Sequence, residues 1–151
     1  MSFAGKVVIV TGGGQGIGEC IALTYAKKGA SVVIAEIDKE AGEEAKEAIE
    51  SVGGECLFIE TDVADEASVM QMVNITLERY GKIDILVNNA SIQTAVESET
   101  LFTRSIEEFE NVMRVNVTGA YICAKYCAAH MVEGSSIVNI ASTRALMSEP
   151  H

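Results

Sequence analysis

The residues whose spacing points most directly to chemistry are the glycines of residues 11–18, TGGGQGIG. They follow Val7–Val10, an apolar, β-branched run that predicts a strand buried on both faces. An apolar helical pattern formed by Ile17, Ile21 and Tyr25 begins directly after them. A strand, a glycine turn and a helix N-terminus together present backbone N–H groups to a phosphate. The segment therefore predicts a phosphate-binding turn.

Individual glycines have separate physical roles in such a turn. Gly12 lets the chain turn tightly off the strand, Gly16 lets the backbone approach a pyrophosphate, and Gly18 lets the helix pack closely on the sheet. The common G-x-G-x-x-G pattern is not met, because Ile17 stands where its third glycine belongs. The pattern present is T-G-x-x-x-G-x-G.

A second motif, Asn88-Asn89-Ala90, follows a later apolar strand, and the two motifs in this order are typical of one family. The sequence resembles the short-chain dehydrogenase/reductase family from Lys6 to about Ala145. The resemblance implies a Rossmann-type domain that binds a nicotinamide dinucleotide. In this family's pattern, the residues beside the cofactor correspond here to Gly12, Gln15, Gly16, Ile17, Gly18, Asn89 and Ala90. Ser91 stands where the family usually has a glycine.

Acidic residues at the ends of the next two strands extend the resemblance. Glu36 lies 18 residues past Gly18, where a carboxylate accepts hydrogen bonds from the adenosine ribose and repels the additional phosphate of NADP. Gln15 and Ile37 stand where members that use NADP often carry Arg or Lys, so the predicted cofactor is NAD. The resemblance also places Asp62 and Val63 beside the adenine ring.

The resemblance assigns catalytic roles to two further residues. Ser142 follows an apolar strand and corresponds to the serine whose hydroxyl binds the reacting oxygen of the substrate. Asn116 corresponds to the residue that holds a kinked helix turn and a water of the proton relay. The implied reaction is hydride transfer between the nicotinamide and a secondary alcohol or ketone, with a small molecule as substrate.

The family's acid/base pair, a Tyr followed four residues later by Lys, is missing after Ser142. None of the nine residues beyond the serine is Tyr or Lys. Tyr121 and Lys125 match the spacing but precede the serine strand, and we interpret the match as a coincidence. We expect a chain truncated at its C-terminus and inactive in this form. The alternative function is a catalytically dead NAD-binding scaffold or sensor; a sugar-nucleotide epimerase or dehydratase is a weaker third hypothesis, because Ile17 stands where those relatives have an aromatic residue.

Alternating strand and helix patterns predict an α/β fold, a doubly wound parallel sheet flanked by helices, in one domain over residues 1–151 that lacks its C-terminal strands. The predicted strands are Val7–Val10, Ser31–Ala35, Cys56–Glu60, Ile83–Val87 and Ser136–Ile140. Inward helix faces are predicted at Ala41, Ala45, Ala48 and Val52, and at Val69, Val73 and Leu77 of a helix over Glu66–Tyr80. Residues 91–103 are predicted to be a loop. A capping box at Ser105 then starts a long helix to about Met131, with a break or a subunit contact along it.

Composition excludes several classes of partner. The net charge is −11, whereas phosphate backbones of nucleic acids are bound by clustered Lys and Arg. No apolar run is long enough to span a bilayer and no signal peptide is recognisable, so we expect a cytoplasmic protein. The resemblance implies a homo-oligomer with a subunit contact along the long helix. The four cysteines predict free thiols. Cys123, Cys127 and His130 share one helix face, but we interpret them as structural residues and predict no metal site.

Overall fold

The chain alternates strands and helices along its whole described length. A computed structural model describes residues 2–93 and 105–142. Its elements in chain order are β1 (Val7–Thr11), α1 (Gly16–Lys27), β2 (Ser31–Glu36), α2 (Lys39–Ser51), β3 (Glu55–Glu60), α3 (Glu66–Tyr80), β4 (Ile85–Asn88), α4 (Ile106–Met113), a π-helical segment (Arg114–Gly119), α5 (Ala120–Ala128) and β5 (Ser136–Asn139). All five predicted strands are present, with ends shifted by one or two residues.

The strands form one parallel sheet in the order β3-β2-β1-β4-β5. After β3 the chain crosses over β1 to start β4 on the opposite side. The carboxyl ends of β1 and β4 therefore border the crevice at the point where the strand order reverses, which is where ligands bind in open α/β sheets. The predicted fold class, a parallel Rossmann-type sheet flanked by helices, is confirmed.

Helices cover both faces of the sheet and form two apolar layers with it. Val8, Val10 and Ile34 lie under α1 and α2, whereas Ile9 and Leu86 lie under α3 and α5. Because consecutive strand residues point to opposite faces, a continuous apolar run in β1 serves both layers. This is why the first strand is recognisable as a buried one.

The fully buried face of α1 consists of small residues. Gly18, Ala22 and Ala26 are buried, whereas Ile17 is 67% exposed. Small residues allow the helix axis to approach the strands closely, while Ile21 and Tyr25 are partly buried against the same apolar layer. Ile17 instead lies at the crevice along the carboxyl ends of the strands.

The buried face of α2 differs from the predicted one. Its buried face consists of Gly42, Ala45 and Ile49, and Val52 is 52% exposed. A β-carbon at residue 42 would lie 2.2 Å from the ring of Phe58, so glycine is required by close contact between α2 and β3. In α3 the predicted Val69 and Val73 are buried, and Met72 and Thr76 complete that face, while Leu77 is only half-buried.

The start of β4 is set by a buried carboxylate just before it. Asp84 accepts hydrogen bonds from the backbone N–H of Val7 at 2.9 Å and from Lys6 Nζ at 2.8 Å, and it pairs with Lys82 Nζ at 2.9 Å. Burial would raise the pKa of this carboxyl group, but the bonds to Lys6, Val7 and Lys82 outweigh burial and lower its pKa to about 2. Asp84 thus ties β1 to β4 at the amino edge of the sheet, and β4 begins at Ile85 rather than at Ile83.

The long helix is interrupted as predicted. Ser105 Oγ accepts the N–H of Glu108 at 3.1 Å and the Glu108 carboxylate accepts the N–H of Ser105, which confirms the capping box. A π-helical segment, Arg114–Gly119, separates α4 from α5. The helix ends at Ala128 rather than near Met131. The predicted loop over residues 91–103 falls outside the described residues beyond Gln93.

Remaining features of the described chain concern its surface and its thiols. Strand β5 lies at one edge of the sheet, where Ile137 is 38% and Val138 40% exposed. Cys123 and Cys127 are free thiols, and burial raises the pKa of each to about 12. In residues 2–93 and 105–142 no three His, Cys, Asp or Glu side chains cluster as metal ligands. No described helix has the length and apolar character that a membrane crossing requires.

Candidate functional site

The carboxyl ends of β1 and β4 are joined by the hydroxyl group of Thr11. Thr11 Oγ1 accepts the backbone N–H groups of Asn89 and Ala90, both at 3.1 Å, and donates to the carbonyl of Val87 at 3.4 Å. Thr11 is fully buried. The predicted T-G-x-x-x-G-x-G pattern includes Thr11 without giving its hydroxyl group a role, although a hydroxyl residue directly after a buried strand is a usable signal.

Asn89 closes the turn from the other side. Its amide Nδ2 donates to the carbonyls of Thr11 at 3.0 Å and of Gly12 at 2.9 Å. A β-carbon at residue 18 would lie 1.9 Å from the Gly12 carbonyl oxygen and 2.5 Å from Asn89 Nδ2. Gly18 is therefore required for close packing of α1 on this turn, rather than on the sheet itself. Gly12 has a φ of +62°, which confirms the tight turn off β1.

The preceding residue, Asn88, connects the site to its neighbours. Asn88 Nδ2 donates to the carbonyl of Ala120 at 3.2 Å and to Asn139 Oδ1 at 2.9 Å. It thereby links β4 to α5 and to β5. The position of the Asn88-Asn89-Ala90 motif after a strand predicts that its side-chain amides bind neighbouring backbone, and Asn88 does so at Ala120.

A first groove of about 290 Å³ runs along the carboxyl edge from the glycine turn to the end of β3. It brings together nine of the ten predicted cofactor residues: Gly12, Gln15, Ile17, Gly18, Glu36, Asp62, Val63, Asn89 and Ala90. Gly16, the tenth, is not among its lining residues, and a β-carbon there would meet nothing within 4 Å. Thr61, Ile92 and Val115 also line the groove and were not predicted.

Glu36 is the charged residue buried deepest in this groove, with only 6% of its surface exposed. Its Oε2 accepts the N–H of Gly14 at 3.1 Å, and its Oε1 accepts the N–H groups of Ile37 at 2.9 Å and Asp38 at 3.2 Å. Hydrogen bonds from backbone N–H groups replace the water that a buried carboxylate loses. The groove thus holds a fixed negative charge at the end of β2.

Asp62 is held in a similar way at the end of β3. Its Oδ1 accepts the N–H of Ala64 at 2.8 Å, and its own N–H donates to Ser68 Oγ at 3.0 Å. Val63 is buried beside it and contacts the helix behind, since a β-carbon at Gly119 would lie 2.8 Å from Val63 Cγ2. The π-helical segment and the first groove are therefore in direct contact.

A second groove, of about 800 Å³, continues from the first on the side of α5 and β5. The two grooves share Ile17, Asn89, Ala90, Ser91 and Ile92. The second groove is also lined by Asn116 and Ser142, the two predicted catalytic residues. Ser142 lies at an exposed position after β5, and the structure brings it to the same groove as Asn116.

Asn116 lies in the π-helical segment and pairs with the chain that follows β4. Its Oδ1 accepts the N–H of Ile92 at 2.9 Å, and its Nδ2 donates to the carbonyl of Ile92 at 3.0 Å. The kinked turn that the resemblance implied is present. Both ends of the side-chain amide are engaged by backbone, so its observed contacts fix the loop at Ile92.

Tyr121 and Lys125 have different surroundings. Tyr121 lines the second groove, but Lys125 Nζ lies 2.9 Å from Glu66 Oε1 on the outer surface. Its hydrogen bonds to Glu66 and to Tyr126 raise the pKa of Lys125. The interpretation as a coincidence agrees with this geometry, although Lys125 is ion-paired rather than simply solvated.

Comparisons with known proteins agree with this arrangement. The profile described as short chain dehydrogenase matches residues 6–151. A Thermotoga maritima protein described as an uncharacterized oxidoreductase is 54% identical over 148 residues, which cover 97% of the chain and 57% of that protein. The (-)-isopiperitenol/(-)-carveol dehydrogenase of Mentha piperita is 40% identical over 144 residues, covering 92% of the chain and 53% of that enzyme.

A solved structure gives the same picture. The short chain dehydrogenase of Burkholderia cenocepacia, solved in complex with NADP, matches with a TM-score of 0.91 at 33% identity, over 99% of the chain and 60% of that structure. The chain spans a little over half the length of the relatives it matches.

Replacing Thr11 tests the connection between β1 and β4. Thr11→Val keeps the shape but leaves the N–H groups of Asn89 and Ala90 without their acceptor, and we expect a loss of about 3 kcal/mol in the free energy of unfolding. Thr11→Ser keeps the hydroxyl group and loses one buried methyl group, which costs about 1 kcal/mol. Urea unfolding of both variants measures the difference. Equal stability of the two variants would contradict the role of the hydroxyl group.

Proposed function

Because the chain belongs to the short chain dehydrogenase family, we propose that it forms the NAD-binding part of an oxidoreductase acting on a secondary alcohol or ketone. The observation that carries the proposal is the continuous pair of grooves along the carboxyl edge of the sheet. One end carries a glycine turn and a buried carboxylate, and the other carries Asn116 and Ser142. A dinucleotide and a substrate need two such connected compartments.

The residues of the first groove fit the adenosine half of the dinucleotide. The N-terminus of α1 and the turn before it offer backbone N–H groups to the pyrophosphate, and no side chain would obstruct the approach at Gly16. Glu36 accepts a hydrogen bond from a ribose hydroxyl group, while Asp62 and Val63 border the adenine. The groove residues therefore bind and orient the cofactor.

The charge of the first groove favours NAD over NADP. Glu36 is buried there, and none of the described residues that line the groove is Lys or Arg. A ribose phosphate next to a buried carboxylate meets a like charge without a compensating cation. The neighbour from Burkholderia cenocepacia was solved with NADP, so the preference we propose rests on the residues of this chain rather than on the family.

The second groove has the groups needed to bind a carbonyl or alcohol oxygen. The nicotinamide supplies or accepts the hydride when it is bound. The hydroxyl group of Ser142 hydrogen-bonds the reacting oxygen and stabilises charge that develops on it. Asn116 fixes the backbone at Ile92, which lines both grooves, and so fixes the position of one groove relative to the other. The dehydrogenase from Mentha piperita, named for two alcohols, supports the substrate class.

We also propose a cytoplasmic protein that associates with copies of itself. Ile106, Phe109 and Met113 form an apolar stripe on α4 and are 73%, 54% and 41% exposed. Their spacing of three and four residues places them on one side of the helix. Exposed stripes of this kind are buried when helices of two subunits pack together.

A change of charge on α4 tests self-association. We expect the wild-type chain to sediment as an oligomer and Phe109→Glu to sediment as a monomer, because the carboxylate would be desolvated at the contact. Asn111→Glu adds the same charge to the opposite side of the helix and serves as the control. Analytical ultracentrifugation distinguishes these states, and a monomeric wild type would refute the proposal.

Replacing Glu36 tests the choice of cofactor. We expect the 151-residue chain to bind NAD+ at least about tenfold more tightly than NADP+, and Glu36→Ala to remove that preference. Glu43→Ala removes a charge from the exposed side of α2 and should leave the preference unchanged. Isothermal titration calorimetry with both nucleotides measures the ratio. Equal affinities in the wild type, or a preference that survives Glu36→Ala, would overturn the assignment to NAD.

The 151-residue chain with NAD+ also tests the proposed oxidation of secondary alcohols. None of the nine residues after Ser142 supplies the Tyr and Lys of the family's proton transfer, so we expect these 151 residues to bind NAD+ without oxidising secondary alcohols. Formation of NADH by this chain alone would mean that another group transfers the proton.

A further inference from the structure

Glu36 is connected to the glycine turn through a single backbone group. Two of its three N–H donors, Ile37 and Asp38, belong to the chain directly after Glu36 itself. The third donor, Gly14, lies in the turn between β1 and α1 and bonds Oε2 at 3.1 Å. This bond is therefore the contact that sets the carboxylate relative to the phosphate-binding turn.

The space around Gly14 is closed by the same carboxylate side chain. A β-carbon at residue 14 would lie 2.7 Å from Glu36 Cγ, 3.0 Å from the backbone carbonyl carbon of Ala41 and 3.1 Å from Glu36 Oε2. Gly14 does not have a positive φ, so glycine is needed here for space and not for backbone conformation. Ala41 belongs to the backbone of α2, and the group that must yield to a side chain is Glu36.

The hydrogen bonds also limit what the carboxylate can offer a ligand. An ionised carboxylate has about four lone-pair sites. Oε1 accepts two backbone N–H groups and Oε2 accepts one, so the unused site is on the oxygen that Gly14 holds. The position of Gly14 thus determines where the acceptor for a ribose hydroxyl group lies.

We propose that Gly14 is a positioning residue that sets the dinucleotide preference through Glu36. The inference rests on the proposed NAD binding and adds a second determinant to it. A side chain at residue 14 displaces the carboxylate of Glu36 and so breaks its hydrogen bond with the backbone N–H of residue 14. The preference for NAD is then lost although Glu36 is still present.

The test compares two neighbouring glycines in binding experiments on the 151-residue chain. We expect Gly14→Ala to lower the ratio of NAD+ to NADP+ affinity about tenfold, as loss of a bond to a charged group does. Gly13→Ala is the matched control, because its β-carbon would meet the Val10 carbonyl and the Ile34 side chain and not Glu36. It should leave the ratio unchanged.

A double-variant cycle separates positioning from general damage to the turn. In a Glu36→Ala background, Gly14→Ala should produce no further change in the ratio, since the group it displaces is absent. An unchanged ratio in the single Gly14→Ala variant, or an equal drop in both backgrounds, would overturn the proposal.

Hydrogen exchange without nucleotide tests the contact between Gly14 and Glu36 independently of NAD+ binding. Hydrogen exchange of the Gly14 amide should be slow in the wild type and at least about tenfold faster in Glu36→Ala, because the acceptor of that N–H is removed. The amide of Val10, inside β1, serves as the internal reference. Equal Gly14 exchange rates would refute the positioning role even if NAD+ binds. Failure of NAD+ to bind would refute the proposed function and, with it, the dinucleotide preference, but slow exchange would still establish the contact between Gly14 and Glu36.

Discussion

The hydrogen bonds that join the carboxyl ends of β1 and β4 are the constraint on which the rest of the site depends. Thr11 and Asn89 exchange contacts across the reversal of strand order, and Gly12 turns the chain over them. Parallel strands with crossing helices leave a crevice at this point. The hydrogen bonds convert that crevice into a defined floor, since the strand ends cannot move independently.

Both grooves are built outward from this floor. Asn89 and Ala90 line each of them, so a ligand that spans the grooves crosses the junction of the two strands. Glu36 lines the first groove and is held to the glycine turn by the N–H of Gly14. Asn116 lines the second groove and is held to the chain after β4 by the N–H of Ile92. The π-helical segment is the geometric adjustment that brings an asparagine in the middle of a helix to a loop backbone.

Sequence patterns predicted the fold because the strands are β-branched and buried on both faces, and because glycine turns and caps mark their ends. The predicted face of α2 included the exposed Val52 and missed Gly42 and Ile49, because the close contact between Gly42 and the ring of Phe58 determines which side of the helix is buried. Nine of the ten predicted cofactor residues meet in one groove, since local motifs carry that information. Thr11 has a local signal, since a hydroxyl residue follows a buried strand, but its partners Asn89 and Ala90 lie far away in the sequence. The pairing of Asn116 with Ile92 likewise joins distant positions, and no local pattern identifies either set of partners.

The most direct test of this account is a map of amide chemical shifts as NAD+ is added to the 15N-labelled chain. The account predicts that the changes concentrate in the glycine turn, residues 12–18, and at Ile37, Val63 and residues 89–92. The turn contributes Gly12, Gln15, Ile17 and Gly18 to the grooves, and the other positions line them directly. The apolar surface formed by Phe3, Cys20 and Tyr25 should remain unchanged. Changes confined to that surface, or no saturable change at all, would contradict a dinucleotide site at the junction of β1 and β4.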